Sequence, residues 1–222
     1  MNTTAAAPAA KVRGSAETTT EGPGAAGQRR LAAFAGGGIV LLVLVAWFVV
    51  LSGRRKEEFA ARALEEARAA AEVGNLPLAA SQLQKVVSTY DGTDASKEAA
   101  IMINQVRLGT GQAELAVVGM RDFIKAGPGP KYLAQAYALL GRALENTHRP
   151  SEAADAYVSA SGAATAGYLR ADYLTDAGRA FTQAEQSDKA IETYRKIIRE
   201  YPKSSQRTEA EVRLAELTGG KL

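Results

Sequence analysis

Few side chains in this sequence could do covalent or acid–base chemistry. The 222 residues include no cysteine and a single histidine, His148. That removes thiolate nucleophiles, disulfides and thiolate metal sites, and leaves one imidazole for general-base work. His148 lies in Thr147-His148-Arg149-Pro150, a string that reads as the turn between two helices, where a solvated ring is expected rather than a triad member. Carboxylates are plentiful, but they recur at helical spacing beside Lys and Arg. Asp188, Glu192, Arg195, Lys196 and Arg199, for instance, make an ion-paired outer face. A phosphate cradle needs free backbone N–H groups, and Gly127-Pro128-Gly129-Pro130 sets prolines where those groups would be. No catalytic residue, metal-ligand set or cofactor is therefore expected. The chain reads as a binding protein, not an enzyme.

Its charge is unevenly placed. The formal net charge is +3, from 27 Lys/Arg and 24 Asp/Glu. Residues 1–56 hold seven of those basic residues and two of the acidic ones, so the remainder is close to neutral at −2. Basic charge thus gathers around one apolar segment, and nucleic-acid binding is not indicated.

Residues 1–30 are dominated by Ala, Thr, Gly and Pro, too poor in apolar surface to offset chain entropy, and are expected to be a disordered tail. Residues 31–53 are expected to form a transmembrane helix. The stretch from Leu31 to Leu51 has 21 residues, none charged and none proline; at the helical rise it spans about 31 Å, close to a bilayer's hydrocarbon thickness. Thirteen of these are Leu, Ile, Val or Phe, which together favour insertion by on the order of 5 kcal/mol. Arg29 and Arg30 bracket one end, Arg54, Arg55 and Lys56 the other, and Trp47 sits near the second interface. The run is too long, and too bulky at Phe48-Val49-Val50-Leu51, for a cleaved signal peptide. Ala32, Ala33, Gly36 and Gly37 give it a small-residue stripe suited to helix packing. Topology stays open: counting flanking charges keeps the body in the cytoplasm, but long domains translocate largely regardless of charge.

Beyond Arg55 the apolar residues recur at helical spacing with a period of 37. Ala79, Ala116, Ala153 and Ala190 are each 37 residues apart; four residues on come Leu83, Met120, Tyr157 and Tyr194; twelve before come Ala67, Asn104, Gly141 and Gly178. Tyr90 and Tyr201 fall three periods apart. A helix–turn–helix unit fits this pattern, with the alanine and the glycine where paired helices cross and the larger residues on the buried face. Turns within units are read at Gly74-Asn75, Gly111, Arg149-Pro150-Ser151 and Ser187-Asp188, and breaks between units at Asp91 to Asp94, Gly127 to Pro130, Ser161-Gly162 and Pro202-Lys203-Ser204. The fold class expected is all-α: a membrane helix, then a repeat domain over 54–217 with units at about 57–91, 94–128, 131–165 and 168–202. A capping helix at 205–217 would turn Ala210, Val212, Leu214, Ala215 and Leu217 toward the last unit.

These residues resemble the tetratricopeptide repeat. The third unit reads Tyr137, Leu140-Gly141, Leu144, Ala153, Tyr157, Ala160; the fourth reads Leu174, Ala177-Gly178, Phe181, Ala190, Tyr194, Ile197, Pro202. The first two units depart further, with Arg107 at an expected apolar position. The resemblance implies a groove for a peptide or partner helix, faced by Arg68, Gln105, Arg142 and Arg179, with Gln135, Asn146, Asp172 and Gln183 flanking them. Arg142 and Arg179 would hold an acidic or carboxylate-ended segment; the competing reading leaves them solvated or pairs them internally with Glu145 or Asp172.

The layout of tail, anchor and repeat body is similar to the YfgM-like ancillary subunits of the bacterial Sec translocon. That resemblance implies an inner-membrane, single-pass protein with a periplasmic body, partnered by the translocon and an envelope chaperone. Endings such as Tyr201-Pro202-Lys203-Ser204 are also similar to the outer-membrane assembly lipoproteins, but the missing lipidation cysteine rules out that route. Two other roles compete with the envelope adaptor. One is a cytoplasm-facing scaffold; the other is a structural subunit held through its membrane helix.

Overall fold

The computed structural model describes the backbone of residues 23–220 and the side chains of residues 43–220. Two compact units divide the chain, residues 1–52 and 53–222. Among the described residues there are nine helices and no strand.

The first helix, α1 (Pro23–Glu72), starts inside the segment expected to be disordered. Proline occupies its first position, where a missing N–H is harmless, and alanines follow. Residues 1–22 lie outside the described residues, as do the side chains of Ala32, Ala33, Gly36 and Gly37. Among the described residues no helix is long and apolar enough to cross a membrane; the part of the expected span from 31 to 42 is outside that set. From 43 onward Val43, Leu44, Val45, Trp47, Phe48, Val49 and Val50 are each more than half exposed.

The larger unit is a stack of helix pairs. After α1 come α2 (Leu76–Thr89), α3 (Asp94–Gly109), α4 (Ala113–Lys125), α5 (Pro130–Asn146), α6 (Pro150–Ala163), α7 (Gly167–Gln183), α8 (Ser187–Glu200) and α9 (Gln206–Thr218). From α2 onward each helix packs on the next, and α3 also touches α5 and α7 touches α9. Neighbours one and two elements along are what stacked hairpins produce. Ala79, Ala116, Ala153 and Ala190 are all fully buried.

Crossing distance is set by a side chain lying across the gap. A Cβ added to Gly141 would stand 2.7 Å from the Tyr157 ring, and one on Gly178 would stand 2.6 Å from the Tyr194 ring. Glycine is required there because the backbone itself is the floor under the aromatic. The second pair solves the same problem in reverse. Asn104 occupies the glycine's place on the first helix, and Gly119 on the partner helix opens to receive its amide. Asn104 Nδ2 donates to Ala100 O at 2.7 Å while its Oδ1 accepts from Arg107 at 2.9 Å, so the buried polar group is satisfied. Two apolar clusters result: one of Ala60, Leu64, Ala67, Leu83, Val86, Ala95, Ala99 and Ile103, the other running from Ile101 through to Leu214.

Turns within the four pairs also keep the period. Gly74, Gly111, His148 and Glu185 all have positive φ, at 77°, 76°, 57° and 59°. The N–H of the following residue reaches back five positions, from Asn75 to Ala70 and from Arg149 to Leu144, each at 2.9 Å. This is a Schellman-type stop, which satisfies a carbonyl the helix would leave bare. Between pairs, Thr93 caps α3, its Oγ1 accepting from Ser96 N at 3.0 Å. The Glu57 carboxylate adds a second cap from α1, accepting from Asp94 N and Ala95 N at 3.0 Å each.

Two expectations need correcting. Ser161-Gly162 does not end a helix: α6 runs to Ala163, and the break comes at residues 164–166. Ser161 is buried, and its hydroxyl donates to Arg170 O at 3.0 Å, which ties α6 to α7 without a kink. Val212 is 53% exposed, whereas Ala210 and Leu214 are buried. Two residues along a helix is about 200° of rotation, so Val212 must face away from them.

Replacing Gly141 by Ala should destabilise the chain by about 1–3 kcal/mol through overpacking, measured by urea unfolding. The double change Gly141→Ala with Tyr157→Leu should recover part of that loss, because Ala67 and Leu83 hold the same two register positions in the first pair. His148→Gly and Glu185→Gly relieve left-handed strain. Together they should raise the thermal midpoint by roughly 2–4 °C, the shift expected for about 1 kcal/mol in a domain of this size.

Candidate peptide-binding groove

The first helices of the pairs present their exposed stripes on one side of the stack. On α5, Lys131, Gln135, Leu139 and Arg142 recur at spacings of three and four, which puts them on one face. A hollow of about 810 Å³ opens over that face. Gln105 of α3 borders it on one side. Leu169 and Tyr173 of α7 border it on the other, and Ala163, Ala164 and Thr165 close one end. Its walls are apolar at Ala134, Ala138, Leu139 and Leu169, with two amides and two cations, Lys131 and Arg142, and no carboxylate in the lining. A smaller hollow continues along the same side past Gln105, Lys131 and Gln135 to Arg68 and Glu98.

The expected groove residues divide by what they already hold. Gln105, Gln135 and Arg142 line the main hollow together. Arg142 is exposed and makes no ion pair among the described residues. Arg68 is already engaged, by Glu65 at 2.6 Å and Glu98 at 2.7 Å. Arg179 is engaged as well, by Glu145 at 3.3 Å and Asp176 at 3.0 Å. Asp172 accepts from Gln206 of α9. Gln183 is exposed at the last residue of α7 and borders neither hollow. Asn146 belongs elsewhere, in a cleft at the turns with Gly111, Gln112 and Leu115. It is the last residue of α5, about one turn beyond Arg142 and past the end of the main hollow.

Lys131, Leu169 and Tyr173 were missed because the groove positions were carried over from the repeat pattern and not followed along each helix face. The three-and-four spacing back from Arg142 would have found Lys131 on the same helix. Lys131 sits 3.6 Å from Asp94 and 3.7 Å from Glu98, with its ammonium 4.8 Å from the centre of the Tyr132 ring. Those contacts are solvent-exposed, so they orient the lysine without neutralising it.

Beside the groove lies a part-buried network. The Tyr157 hydroxyl donates to Glu145 Oε2 at 2.7 Å, and Glu145 Oε1 accepts from Arg179. Burial and the neighbouring Glu145 charge raise the tyrosine pKa. Burial also works against the Arg179 charge, but Glu145 and Asp176 outweigh it and hold the guanidinium more firmly protonated. Asp176 is raised above the ordinary 3.8, by burial first, with Arg179 opposing and Glu145 adding. The folded chain therefore takes up this proton before the unfolded chain does as pH falls. Stability from this group rises as pH drops through the raised value and levels off below 3.8.

By sequence, residues 56–220 match a family model, YfiO, described as an outer membrane lipoprotein. No curated protein matches the chain. Among solved structures, a MamA protein is 20% identical over 73% of this chain and 82% of its own, with a TM-score of 0.58. A second MamA structure is 21% identical, over 69% and 83%, at 0.55. A putative kinesin light chain of Podosopora anserina with nearly identical TPR-like repeats is 17% identical over 72% and 84%, also at 0.58. At such identities the likeness is one of fold, a tetratricopeptide-like stack.

Arg179→Ala strands Glu145 and Asp176 and should cost about 1 kcal/mol after allowing for solvent screening. Arg142→Ala should leave unfolding in urea unchanged within error. Asp176→Asn should stabilise the chain near neutral pH, with an advantage that shrinks as pH falls. Urea midpoints of the two chains, compared between neutrality and mild acid, would show the lines converging.

Proposed function

The chain belongs to the YfiO outer membrane lipoprotein family, and from that premise we propose that it is a membrane-anchored adaptor of the bacterial envelope that holds an acidic segment of a partner protein in its groove. One observation carries the reading: an open, carboxylate-free hollow of about 810 Å³ with unpaired Arg142 at its wall and two amides able to bond a peptide backbone. That volume suits a short stretch of bound chain. The part-buried guanidinium of Arg179 is occupied by its own carboxylates, which leaves Arg142 and Lys131 as the cations that meet a ligand.

Anchoring rests on the uncharged 31–51 segment and on the exposed apolar side chains from Val43 to Val50. The family is described as lipoproteins, yet these 222 residues hold no cysteine to carry a lipid thioether. In this reading an apolar helix takes over that attachment. A place beside the Sec translocon and an envelope chaperone, as in the YfgM-like subunits, is the finer form of the same proposal. A cytoplasm-facing scaffold is the second reading, favoured by four basic residues after the span against two before it.

A photo-cross-linker placed at Gln135 in native membranes should capture a protein partner, and Arg142→Glu should abolish that adduct. The same probe at Ser159 on the opposite helix row should capture nothing. Adducts from the span alone, with none from Gln135, would make the chain a subunit held by its membrane helix and reject the groove. Alkaline extraction tests the anchor separately: the full chain should remain with the membrane, and a chain lacking 31–51 should be released.

A further inference from the structure

The repeat itself indicates what is missing from the main hollow. At the end of the first and last pairs the register position is Tyr90 and Tyr201. Each ring is half-buried against the core of its own stack. Tyr201 fills the corner where α8 returns past the start of α7; its ring stands 3.9 Å from where a Cβ on Gly167 would be. In the third pair the same position is Ala164, and the residue in register with Gly167 is Pro130. Ala164 and Pro130 both line the main hollow. The aromatic that closes this corner in the last pair is absent from the third; Ala164 is itself buried, and the hollow opens beside it along Leu169 and Tyr173.

We infer that the hollow receives an aromatic side chain of a partner protein, set next to an acidic residue that reaches Arg142 or Lys131. This rests on the groove reading above and names the chemistry of its occupant. The aromatic ring restores the packing that Tyr201 supplies within the last pair, and the neighbouring carboxylate meets the two cations in a lining without acidic groups. Gln105 and Gln135 flank the ring's entry and can pair with the peptide backbone on either side. Residues 1–30 contain no aromatic residue, so the chain's own tail does not supply the ring.

The full chain in detergent, titrated by fluorescence anisotropy with labelled eight-residue peptides, tests this. Four peptides share length and differ at two central positions: Tyr-Glu, Ala-Glu, Tyr-Gln and Ala-Gln. The Tyr-Glu peptide should bind about ten-fold more tightly than either single change, and Ala-Gln should not bind, since burying one ring or pairing one carboxylate is worth about that factor. Ala134→Trp should fill the hollow and abolish Tyr-Glu binding, and Thr165→Trp, at the end that Ala163 and Ala164 also line, should do the same with the helical signal unchanged. Arg142→Glu should remove the preference for Glu over Gln and keep the preference for Tyr over Ala. Equal binding of Tyr-Glu and Ala-Glu would overturn the aromatic site and leave an acidic groove. Failure of all four peptides would overturn both readings. A chain that dimerises and falls to half its mass on adding peptide would assign the hollow to a second copy, and so reject a foreign partner.

Discussion

The stack depends on one close approach, the aromatic ring of a second helix packed directly against the backbone of the first. At Gly141 and Gly178 even a methyl group would intrude on Tyr157 or Tyr194, so helix spacing is fixed by ring thickness rather than by interdigitating side chains. Alanines at the crossing extend the same economy of volume along the pair. The second pair shows that the constraint concerns total volume, not residue identity. Its amide sits on the first helix, and the glycine has moved to the partner, next to Met120. Volume conservation across a contact is what well-packed cores tolerate best.

Once spacing is fixed, electrostatics decides which face is left to bind. Guanidinium groups on the first helices would otherwise leave three free cations in register, Arg68, Arg142 and Arg179, with Gln105 between the first two. Two of the three are consumed by carboxylates three residues before them or on the adjoining repeat. At Arg179 the pairing is reinforced by the Tyr157 hydroxyl, which fixes Glu145 from below. The ring that sets the helix spacing therefore also withdraws a cation from the groove. Arg142, exposed and without a direct ion pair among the described residues, keeps its charge available to solvent.

Much of the fold was legible because the period of 37 repeats volume as well as polarity. Small residues at Ala79, Ala116, Ala153 and Ala190 can be aligned by eye, and burial follows from that alignment. What escaped was information held between repeats. Gly119 compensates for Asn104 only across a helix contact, and nothing in its own helix marks it. Val212 was misassigned by taking apolar character as a guide to direction, where the helical angle from Ala210 decides. Of the groove positions, Gln105, Gln135 and Arg142 share one hollow. Asn146 does not, because it lies a turn beyond Arg142 at the end of α5, past the end of that hollow. The Arg68–Glu65 and Arg179–Asp176 pairs follow from three-residue spacing on one helix, and Arg179 with Glu145 was an expected alternative; only Arg68 with Glu98 depends on reach between units that residue order does not encode. Left-handed backbone at His148 and Glu185 could have been read from the register of Gly74 and Gly111, since a turn geometry outlasts the glycine that suits it.

The carboxylate of Glu57 holds the first amides of α3 from across a helix boundary, and beside it Lys56 Nζ reaches Asp91 O at 2.7 Å. The entry to the second hairpin is therefore secured by residues that directly follow the apolar stretch. A shortened version of this protein that keeps the repeat stack must begin ahead of Lys56; started a turn later, it would retain every residue of α3 and lose two of the bonds that hold that helix's first turn.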